Sequence, residues 1–165
     1  MSAPSFPTWR ALPSALRGIG RWLTLVQLVG YTTALILVRS TSRMSPAGIA
    51  DHYRGSESAE GAMEFPKSLV EMLRITHTHL LTMAVMFLLS GIGLVLCERV
   101  SERWKRWLGV EPFVALLVSF ASIWLMRYVD QRFSILLMCS STLMAVTFYV
   151  QSFFVLRELG WSDSP

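Results

Sequence analysis

Four long runs without a charged residue or a histidine decide what this chain can fold into. Trp22 to Val38, Leu80 to Cys97, Pro112 to Met126 and Phe133 to Leu156 are 17, 18, 15 and 24 residues long and contain no Asp, Glu, Lys, Arg or His. As helices rising about 1.5 Å per residue, the first two reach about 26 Å, close to a hydrocarbon core of about 30 Å. The third gains length from Val110 on one side and Tyr128-Val129 on the other, with Glu111 and Arg127 placed to reach the two interfaces. The fourth has length to spare for tilt. The expected fold is all-α: a four-helix transmembrane bundle, one integral membrane domain over residues 1–165. The spans are expected at about 22–38, 78–98, 110–129 and 133–156, with an outer loop over about 39–77.

Composition agrees with a lipid environment. Hydrophobic residues make up 53% of the chain and charged residues 16%, against about 25% charged in an ordinary soluble domain. The net charge is +4, and the basic residues gather at the ends of the spans. That pattern serves topology and lipid headgroups, not nucleic acid. Cys97 and Cys139 are the two cysteines. With alternating spans they sit at different depths, so they are expected to stay unpaired. The first apolar run ends in Leu-Val-Arg-Ser without a small-x-small cleavage pattern, and is read as an uncleaved first span.

Four spans place both termini on one side. That side carries eight basic residues against five acidic ones, and the other side seven against six. The flank before the first span holds Arg10, Arg17 and Arg21 with no acid, which places the termini in the cytoplasm of a bacterial inner membrane. Trp22, Trp104, Trp107 and Trp161 form the inner aromatic belt, and Trp124 and Tyr128 the outer one. Residues Ser40 to Gly61 of the outer loop, rich in Ser, Gly and Ala, read as irregular. From Pro66 the pattern becomes helical. Leu69, Met72, Leu73, Thr76 and Leu80 share one face, while Lys67, Glu71, Arg74 and Thr78 share the opposite one. Here an amphipathic helix is expected to lead into the second span.

The chemically versatile residues collect on the loop side. His52, His77 and His79 are all the histidines of the chain. Positions i and i+2 of a helix point about 200° apart, so His77 and His79 flank the apolar face instead of sharing one ligand. Met83, Met86, Ser90, Gly93 and Cys97 continue from His79 at helical spacing. Two readings follow. In one, the histidines are interfacial and the Met and small residues form a packing seam. In the other, one or both of His77 and His79, with Met83 or Met138, hold haem b or a transition metal. A metal set of His52, His77 and His79, completed by carboxylates of Asp51, Glu57, Glu60 or Glu64, is a variant of the second. Tyr53, Arg54 and Glu71 are expected to anchor the loop, with Arg54 reaching acids such as Glu71. Arg127 and Asp130 are expected to pair at the interface. Ser119, Ser122, Ser140, Ser141, Thr142 and Thr147 are read as interhelical hydrogen-bonding positions. No catalytic residues are assigned: no P-loop, GxGxxG or CxxC motif is present.

The residues Gly48 to Gly55 (Gly-Ile-Ala-Asp-His-Tyr-Arg-Gly), Phe65 to Leu73, and His77-Thr78-His79 resemble a group of small, functionally uncharacterised four-helix bacterial inner-membrane proteins. That group carries a Tyr-Arg-Gly outer loop and a His-x-His at a helix head. The resemblance covers about a fifth of the chain and implies no activity; it directs attention to the loop and the histidine pair. With the bundle read as free of ionisable side chains, the expected role is that of a small membrane accessory protein or subunit. It would act through the loop and His77/His79 beside a periplasmic redox complex, with the lipid bilayer, a membrane-complex partner or a second copy of itself as partners. A haem- or metal-binding electron-transfer protein is the alternative, and a small solute transporter ranks third.

Overall fold

A computed structural model describes residues 7–57 and 63–160. A short 3-10 helix, Trp9–Ala11, precedes α1 (Ser14–Ser42). The loop side holds α2 (Pro46–Arg54) and a two-residue hairpin, β1 (Ser56–Glu57) with β2 (Met63–Glu64). Then come α3 (Leu69–Val95), α4 (Glu102–Tyr128) and α5 (Phe133–Leu159). Four helices, α1, α3, α4 and α5, are long and apolar enough to cross a membrane. Among the described residues the fold is therefore an all-α transmembrane bundle with a small cap on its loop face.

The helices overrun the charge-free segments. A hydropathy run marks only the part that must sit in hydrocarbon, while the backbone ladder continues through charged flanks until a cap stops it. Ser68 sets the start of α3: its side chain accepts from the Glu71 N–H at 3.3 Å and its own N–H donates to the Glu71 carboxylate at 2.7 Å. This reciprocal pair satisfies two donors that a helix start leaves open. The segment from Leu69 to His79 is thus the first part of one continuous α3. Its protein-facing stripe is narrow. Met72 is fully buried, but Leu69 and Leu73 remain 56% and 53% exposed.

The loop is more ordered than its composition implies. Residues 46–54, inside the stretch read as irregular, form α2. Ser45 caps it by accepting from the Gly48 N–H at 3.0 Å, and Pro46 occupies the first turn, where its missing N–H costs nothing. Gly55 ends it with φ of 82°, and a Cβ there would lie 2.6 Å from the Glu64 carbonyl. Only glycine turns the chain into the hairpin at that point.

Packing is uneven. α4 and α5 lie closest together, joined through Ser119 and Ser140, whose hydroxyls are 2.8 Å apart. This is the interhelical role expected of those serines; Ser122 and Ser141 bond instead within their own helices. Phe87, Phe148 and Tyr31 form an aromatic centre, with Tyr31 and Phe148 ring centroids 4.6 Å apart. A second core at the terminal face gathers Trp9, Leu94, Cys97, Val155 and Leu159. Trp9 is held there by its indole N–H to the Gly93 carbonyl at 2.7 Å. Helix α1 is the loose member: Gly20, Thr24, Tyr31 and Ser42 are its only buried residues. Cys97 is buried, Cys139 is exposed, and both are free thiols.

Candidate functional site at the loop face

Backbone-directed bonds fix α2 and the hairpin onto the bundle. The Arg54 guanidinium donates to the Met126 carbonyl at 2.8 Å, near the C-terminal end of α4. Arg127, one residue further, donates to the Lys67 carbonyl at 3.0 Å, and the Lys67 N–H reaches the Tyr53 carbonyl at 3.0 Å. Carbonyls at a helix C-terminus have no intrahelical donor, so an arginine is well matched to them. Arg54 therefore anchors the loop to α4, not to Glu71, whose carboxylate is engaged in the α3 cap. Arg127 likewise turns away from Asp130, which accepts from the Arg132 N–H at 2.7 Å. Its guanidinium lies 5.0 Å from the Tyr128 ring centroid.

His52 sits between these parts, half-buried, with Nδ1 3.7 Å from a Glu64 carboxylate oxygen and its ring edge-on to Tyr53. Burial pushes its pKa below the usual histidine value and Lys67 adds to that, against an opposing pull from Glu64. The contact with Glu64 is therefore that of a largely neutral imidazole at neutral pH. Burial also raises the Tyr53 hydroxyl above its ordinary range.

His77 and His79 lie apart from this group. Trp124 donates to the Thr76 hydroxyl at 2.9 Å, which puts Thr76 level with Trp124, one turn below Arg127. His77 and His79 follow just beneath, and both are exposed on the outside of the bundle. Met83 and Met138 are half-buried and pack against the central core. Among the described residues, no three His, Cys, Asp or Glu side chains converge to hold a metal ion. His52, His77 and His79 are thus not brought together as a ligand set. Glu60 and the Glu57 side chain lie outside the described residues, as does Trp161. Trp22, Trp104 and Trp107 are exposed at the terminal end, and Trp124 stacks on Tyr128 at the other.

One feature inside the bundle escaped the reading of the spans as free of ionisable groups. Glu111 is packed against protein. It is only 9% exposed, and neither carboxylate oxygen has a hydrogen-bond partner. The next residue, Pro112, is also buried and has no N–H to give the Leu108 carbonyl one turn back. Gln151 of α5 supplies the missing donor, its amide nitrogen 2.6 Å from that carbonyl. The signal was present as Glu-Pro in an apolar helix facing a helix with a lone Gln. Glu111 directly precedes the charge-free run from Pro112, a position from which the sequence leads one to expect an interfacial carboxylate.

The model of a family described as a transmembrane helical domain, Aq_1264_TM, matches residues 43–164. No curated protein and no solved structure matches the chain. The matched region begins one residue after α1, so it contains α2, the hairpin and the three tightly packed spans. The chain belongs to this family of transmembrane helical domains, and it is an integral membrane protein of several spans.

Proposed function

We propose that the protein is a small accessory subunit of a bacterial inner-membrane assembly, working through its loop face. The observation that carries this reading is the contrast on that face. Arginine bonds hold α2 and the hairpin in place, while the adjoining flank of α3 is left uncovered. Phe65, Leu69, Val70 and Leu73 are 76%, 56%, 71% and 53% exposed, exposed His77 continues that flank one turn after Leu73, and exposed His79 lies on the far side of it. An apolar surface of this kind, rimmed by polar groups at membrane level, suits a partner helix or the headgroup region. The amphipathic start of α3 then serves as the contact strip. Both termini face the cytoplasm, in keeping with Arg10, Arg17 and Arg21 ahead of α1.

Photo-crosslinking in intact membranes tests the proposal. A photoreactive residue at Leu73 or Val70 is expected to give one discrete protein adduct, which weakens in His77→Ala and His79→Ala variants. The same residue at Val114, on the lipid side of α4, is expected to give lipid adducts alone. Lipid adducts alone at all three positions would contradict the reading. A Soret band, or stoichiometric metal lost in the histidine variants, would favour the electron-transfer alternative.

A further inference from the structure

We propose that Glu111 is a proton-binding carboxyl inside the bundle, donating its proton, when bound, to the side-chain oxygen of Gln151. This is independent of the loop-face reading. Glu111 is the only ionisable residue between Arg106 and Arg127 on α4, and the other three spans carry charge-free runs. It lies five residues beyond Arg106, about 8 Å further into the membrane. The surroundings are polar but poor in donors. Gln151 spends its amide nitrogen on the Leu108 carbonyl, and its own oxygen is buried without a partner. Both Glu111 oxygens are in the same condition. Three acceptor atoms therefore lack a donor on adjoining turns of α4 and α5. Protonation of Glu111 supplies one from a side chain already in place.

The neighbours on the other helices leave that need unmet. Ser90 of α3 donates to the Gln27 side chain and to the Met86 carbonyl. Tyr31 of α1 is within electrostatic reach of the Glu111 carboxylate, and Tyr149 of α5 is near Tyr31; the Tyr149 hydroxyl is bonded to Thr32 at 2.8 Å. An ionised carboxylate left unpaired in such a site is costly, and binding a proton removes the charge and gives the Gln151 oxygen a donor.

Dicyclohexylcarbodiimide tests this on the full-length protein in native membrane vesicles. A carboxylic acid gives its proton to a carbodiimide nitrogen while the carboxylate oxygen bonds to the central carbon. The resulting O-acylisourea rearranges to a stable N-acylurea, which peptide mass spectrometry locates. The adduct is expected on Glu111, to fall as the pH is raised, and to ignore sodium at fixed pH. No adduct on Glu111, or labelling independent of pH, would overturn the proposal. Protection by sodium would make a metal cation the occupant and overturn it equally. A second readout is stability. Glu111→Gln, whose amide brings its own donor, is expected to unfold at or above the wild-type denaturant midpoint, and Glu111→Ala below it. Equal loss in both variants would contradict the donor role.

Discussion

Pro112 costs α4 one backbone donor, and Gln151 replaces it from the neighbouring helix. The Leu108 carbonyl is the link between them, at 2.6 Å from the Gln151 amide. Gln151→Leu should therefore leave a buried carbonyl unsatisfied and destabilise the bundle by about 1–3 kcal/mol, read from the denaturant midpoint in detergent. Pro112→Ala restores the N–H, so most of that loss should vanish in the double variant; an equal loss with and without Pro112 would show that the bond carries no weight. The loop face offers a second residue-scale prediction. The folded His52 pKa is lowered, so the unfolded chain takes up a proton first as pH falls. The contribution of His52 is present above the ordinary histidine pKa of about 6.5 and is lost as pH drops from there through the folded value. An NMR titration should place the His52 midpoint below that of His77 in a denatured sample. A midpoint above it would mean that Glu64 dominates over burial and Lys67.

Between elements, the loop face depends on two arginines. Arg54→Ala and Arg127→Ala should each ease opening of α2 and the hairpin by about 1–2 kcal/mol. Amide exchange should then speed up over 46–57 and 63–67 while α4 and α5 stay protected; a uniform rise across α5 would argue that the cap is integral to the bundle. This pinning was only half legible in the sequence. Arg54 stood out as a loop anchor, but its acceptor is a backbone carbonyl at a helix end, and no residue pattern identifies such a partner. The four spans were legible because absence of charge over some 15–24 residues is a property of the sequence itself. Their true ends were not, since caps such as Ser68 with Glu71 act beyond the apolar run. Helix α2 was hidden by the Ser, Gly and Ala content of the loop around it, although Ser45-Pro46 is a start signal. The burial of Glu111 was not legible, since which face of α4 turns toward α5 follows from packing and not from position along the chain.

As a whole molecule, the protein is three closely packed spans, a pinned cap at one end and a loosely attached first span. The region matching the family of transmembrane helical domains begins at residue 43, where α1 has just ended. The loose helix and the matched region thus meet at a boundary seen independently in packing and in sequence. The arrangement requires that the loop face and the termini lie on opposite sides of the membrane, and the proposed orientation, argued from the arginines ahead of α1, has the termini inside. Cysteine accessibility tests this most directly. In a background with Cys97 and Cys139 replaced, single cysteines are placed at Ser45 and Lys67 on the loop face and at Ser101 and Ser14 on the terminal face. A membrane-impermeant maleimide added to intact cells should label the first pair, and should reach the second only after permeabilisation. Labelling of both pairs from the same side would contradict the four-span bundle, and labelling of the terminal pair alone would reverse its placement in the membrane.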